Sequence, residues 1–123
     1  MATFTQAFAE FGIKLKNPQG VWSARDGNKV VITMWADRIH DRVYRFSIAD
    51  RRKEEERKPG WRGLVKDVKY ALAHCNGEVN TIMIHAQSAV AKRKVVADTR
   101  ALKNKWKMTH FDETAGELTM IPL

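Results

Sequence analysis

The stretch VWSARDGNKVVITMW, residues 21 to 35, constrains the fold more than any other. Asp26, Gly27 and Asn28 are residue types that tolerate the positive φ of a tight hairpin loop. After them, Val30, Ile32 and Met34 share one face of a strand, and Val31, Thr33 and Trp35 share the other. Both faces are apolar, which places this strand inside a sheet rather than at its edge. A second strand follows in RVYRFSIAD, 42 to 50, with Tyr44, Phe46 and Ile48 on one face and Arg45 and Ser47 on the other. That alternation predicts one buried and one wet face.

The helical periodicity is clearest over 61 to 75. Trp61, Leu64, Val65, Val68, Leu72 and Cys75 form one apolar stripe, and Arg62, Lys66, Asp67, Lys69 and Ala73 face away. Asn76-Gly77 is a stop signal. Phe4, Ala7, Phe8 and Phe11 predict a short N-terminal helix, capped by Thr3 and ended by Gly12, that covers the sheet. Asn17-Pro18-Gln19-Gly20 reads as a turn, and RRKEEERKPG, 51 to 60, as a solvated charged segment. EVNTIMIH, 78 to 85, reads as another strand of the sheet. Residues 88 to 104 fit a helix or a loop with a short strand at Val95-Val96; a loop with partial helix is the expectation. Trp106–Phe111 and Leu118–Leu123 form a closing hairpin with Ala115-Gly116 at its tip.

This order predicts an α+β fold. It has a mostly antiparallel sheet of about five or six strands, with the 61–75 helix and the N-terminal helix on one face. The length, 123 residues, fits a single domain spanning 1–123. With 44% hydrophobic residues, four Trp and five Phe, a real core is within reach. No run of 18 apolar residues exists, so no membrane span is expected. Cys75 is alone, which leaves no internal disulfide. The start MATFTQAFAEFG lacks a basic, then apolar, leader, and a cytoplasmic location follows as the expectation.

Charge points to a partner. Residues 92 to 107, KRKVVADTRALKNKWK, hold seven cations against one acid, which leaves six of the chain's net +8. The cations are Lys92, Arg93, Lys94, Arg100, Lys103, Lys105 and Lys107, and Trp106 stands among them. Arg38, Arg42 and Arg45 form a second patch. Concentrated positive charge with an aromatic inside it fits DNA or RNA: cations take phosphates and aromatic rings take bases. A merely solvated basic face has the same letters. So does a protein that grips an acidic partner, for which Met34, Met83, Met108 and Met120 offer adaptable contacts.

Catalytic signals are sparse. No glycine-rich phosphate loop is present, so no nucleotide cofactor is expected. His40, His74, His85 and His110 form no pair at helical metal spacing, and no metal is assigned. Asp37 with His40 and Asp41, or His110 with Asp112 and Glu113, have metal-ligand residue types but read as solvated turns. Asp67-Val68-Lys69 matches a metal-nuclease triplet yet lies in the amphipathic helix. His85 and His110 are on predicted strands without the following Thr or Ser of two-histidine phosphoesterases. Asp37, His40, His85 and His110 are thus the only candidates for an alternative reading as a small nuclease or nucleic-acid modification component. The main expectation is a binding protein rather than an enzyme.

FGIKLKNPQGVWSA, DGNKVVITMWAD, the later GW and CNG, and HFDETAGELTM together resemble a small, uncharacterised family of bacterial and phage type. The likeness runs over most of the chain. It implies a restriction or defence setting, in keeping with nucleic acid, and brings no catalytic residue with it.

Overall fold

The computed structural model describes residues 4–15, 22–47, 59–86 and 96–123. The turn at 17–20, the charged segment over 51–58 and the Lys92-Arg93-Lys94 run lie outside the described residues. The elements in chain order are α1 (Phe4–Ala9), β1 (Ser23–Asp26), β2 (Lys29–Trp35), a 3-10 turn (Ala36–Arg38), β3 (Ile39–His40) and β4 (Val43–Ser47). Then come α2 (Pro59–His74), β5 (Glu78–Ala86), β6 (Val96–Ala101), β7 (Trp106–Asp112) and β8 (Glu117–Pro122). The class is α+β, as the sequence predicts. Among the described residues the sheet has eight strands rather than five or six, in the order β1-β2-β5-β7-β8-β4-β3, with β6 also on β5.

Most ladders are antiparallel; β2 and β5 run parallel, with Ile32 beside Thr81 and Met34 beside Met83. β6 and β7 lie end to end along one edge of β5. Ala101 sits opposite Ile82, and Trp106 opposite Val79. Residues 102–105 link them, and β7 then leaves β5 to pair with β8. Within the region expected to be loop with partial helix, Val96–Ala101 is therefore a strand. It pairs with a distant element, which local composition does not encode.

Both helices were expected on one face, and that arrangement is not observed. Val30, Ile32 and Met34 of β2 pack with Trp61, Leu64, Val68 and Ala71 of α2. Val31 packs with Ile82, Ile84 and the N-terminal Ala7, Phe8 and Ile13. Successive strand residues point to opposite sides, so α1 and α2 cover opposite faces. A strand apolar on both sides requires cover on both, and α1 supplies the second. Phe8 is fully buried, and Gly12 closes the helix at φ 78.

The stripe of α2 is rotated from the expected one. Leu72 is 46% exposed, Ala71 takes the buried place, and Asp67 is buried instead of facing water. The cause is β1, which lies along the helix and presents a hydroxyl: Ser23 Oγ donates to Asp67 Oδ2 at 2.6 Å. The helix also holds the β1–β2 turn. Tyr70 donates to Asn28 Oδ1, and Cys75 Sγ lies 3.2 Å from the Asn28 carbonyl. Arg25 stacks 4.1 Å above the Tyr70 ring. The helix ends as its Asn-Gly predicts, with Gly77 N–H reaching back to the Ala71 carbonyl at 3.0 Å. Among the described residues no helix is long and apolar enough to cross a membrane.

Candidate nucleic-acid interface

The two-residue turn between β3 and β4 is made by Asp41 and Arg42, at φ 52 and 62. Two consecutive positive φ angles between paired strand residues define the mirror-image hairpin turn that usually carries Asn-Gly. An arginine there is strained by about 1 kcal/mol or more. Such strain concentrates at functional positions. Here it sets Arg42 at the mouth of an open cleft of about 350 Å³, lined by Ile39, Arg42, Leu102, Lys103, Asn104, Trp106 and Pro122.

Each wall has a local cause. Ile39 pairs with Tyr44, and Trp106 with Pro122. Leu102 is anchored by its N–H to the Thr81 carbonyl at 3.0 Å. The main chain of Lys105 accepts from Leu123 N–H at 2.9 Å, which ties the link to the C-terminal residue. The floor is thus apolar and fixed by ladders, and Lys103 and Asn104 are exposed at the rim. Two cations and no carboxylate are among the lining residues. No family model, no curated protein and no solved structure matches the chain. The site is read from its own chemistry.

The expected residues separate into groups. Arg42, Lys103 and Trp106 meet at the cleft, although Trp106 is 6% exposed and forms its floor rather than a free stacking surface. Lys105, on the same link, and Arg100, on β6, are exposed. Arg45 alternates with the inward Tyr44 and Phe46 and points from the other face of the sheet. Arg38 lies 5.6 Å over the Phe46 ring, beside a cluster in which Trp22 meets Phe46 and Trp61 edge-on and Phe46 stacks with Trp61. Lys107 is half-buried opposite Glu78 and Ile121.

The catalytic candidates do not converge. Glu78 pairs with Lys107, and His85 and His110 lie in opposite directions from that pair, seven and three residues beyond it. His40 is exposed on β3, and Asp37 lies in the 3-10 turn. His110 Nε2 is 3.5 Å from Glu117 in an exposed pair. Among the described residues no three His, Cys, Asp or Glu side chains are grouped to hold a metal.

A buried carboxyl with a shifted pKa lies outside the cleft. Burial pushes the Asp67 carboxyl above its ordinary range, against the opposing pull of the Ser23 hydrogen bond and of Arg25 and Lys66. Sequence reasoning missed this pair. It also missed Ile39, Leu102, Asn104 and Pro122 as lining residues. Only Asn104, between two lysines, had a local signal.

Proposed function

We propose that the protein binds DNA or RNA, mainly through phosphates, at the cleft between the β3–β4 turn and the β6–β7 link. The bacterial or phage-type resemblance and the expected cytoplasmic location are in keeping with this role. One observation supports it above the others. Arg42 and Lys103 come from distant parts of the chain, yet line one concavity free of carboxylates. Arg100 and Lys105 extend the positive charge along the same chain segment. A polyanion meets few opposing charges there, and each phosphate contact releases counterions.

Anisotropy of a labelled duplex, titrated with protein from 50 to 200 mM salt, tests the reading. With four cations engaged, affinity falls by roughly two decades over that range. A flat salt response refutes it. A partner that is retained in a pull-down after nuclease digestion would instead favour an acidic protein.

A further inference from the structure

We infer that the cleft takes one unpaired nucleotide, its base against Ile39, Leu102, Trp106 and Pro122 and its phosphate on Arg42 and Lys103. The inference rests on the phosphate-binding reading above and adds the class of nucleic acid. A purely phosphate-binding surface has no use for a recessed apolar floor. This cleft has one, and its cations are beside it rather than spread over a plane. Its volume, about 350 Å³, is at the small end of ligand sites, which run from about 300 to 1,000 Å³. A duplex keeps its bases stacked and paired inside, so it presents to such a concavity only sugar and phosphate. A single strand has bases free to enter, and an apolar floor takes any of them by burying one face of the base. Asn104 adds an amide at the rim, able to donate and accept at a base edge. A peptide partner would need to neutralise two cations with acidic side chains and fill the same floor. One nucleotide carries both parts in a single unit.

The test compares three labelled ligands of equal phosphate number by anisotropy at one salt concentration: an oligo-dT strand, an abasic strand and a duplex. The expected result is about tenfold or tighter binding of oligo-dT than of the abasic strand, the scale of burying one face of a base against an apolar surface. The duplex should bind more weakly than oligo-dT. Leu102→Phe adds bulk inside the cleft and should abolish the preference while retaining salt-dependent binding, with folding checked by circular dichroism. The ligand comparison on the unaltered protein decides even if that variant misfolds. Equal, salt-sensitive affinity for all three ligands overturns the inference and leaves phosphate binding intact. So does a preference that survives in a folded Leu102→Phe variant. Absence of binding to any ligand refutes both readings.

Discussion

Replacing Ser23 by Ala tests whether the β1–α2 seam is held by a polar contact or only by packing. Asp67 is 8% exposed, and Ser23 Oγ donates to it at 2.6 Å. Removing a donor to a buried charged acceptor costs about 1.5–3 kcal/mol. For a chain of this length 1 kcal/mol moves the midpoint by about 4 °C, so Tm should fall by about 6–12 °C. The pH dependence has a definite sign. Burial raises the Asp67 pKa above 3.8, so the folded state holds this proton more tightly than the unfolded chain. The group's contribution to stability is full below the unfolded pKa and is lost as pH rises through the folded one. Without the Ser23 donor, which pulls the pKa down, the loss extends to higher pH. The deficit of Ser23→Ala should therefore be larger at pH 7 than at pH 4 in thermal melts. A change under about 2 °C at pH 7, the same at both pH values, would refute the seam argument.

Thr81→Val should stabilise the protein by about 1 kcal/mol in urea titrations, because Thr81 is fully buried and its Oγ has no partner among the described residues; destabilisation would indicate that the hydroxyl is satisfied. Arg42→Gly should leave stability unchanged or raise it by up to about 1 kcal/mol while weakening nucleic-acid binding, since glycine adopts φ near 62 without strain. A loss of stability without loss of affinity would count against a functional role for the strained turn. Phe8→Ala should cost about 3–5 kcal/mol although α1 has six residues, because it uncovers Val31, Ile82 and Ile84; a loss below about 1 kcal/mol would show that α1 is not the cover of that face.

The parts legible in the sequence are those written in local periodicity. The hairpin over 23–35 follows from Gly27, the α2 stop from Asn76-Gly77, and the closing hairpin from alternating residues around Gly116. The rest depends on partners far along the chain. β6 carries the exposed Arg100 beside the buried Thr99. It is a strand because β5 offers it an edge, not because VADTRA favours one. Asp67 falls on the polar side of a helical wheel drawn for α2 alone, and β1 changes that side by bringing Ser23. The cleft is the extreme case. Its turn lacks the glycine that would announce it, so nothing in HDRV marks Arg42 as a neighbour of Lys103. The charge cluster did point to Lys103 and Trp106. Which cations face together is decided by the sheet, and Arg45 is turned away by strand alternation alone.

The most direct test of the central claim compares salt slopes of three proteins on one oligonucleotide. The unaltered protein sets the reference, Arg42→Gln/Lys103→Gln removes the cleft cations, and Arg45→Gln removes one exposed cation from the other face. The cleft variant should lower the slope of log affinity against log salt by about two phosphate contacts' worth, with Arg45→Gln close to the reference. Equal slopes for the cleft variant and the reference, or a larger loss from Arg45→Gln, would contradict the account.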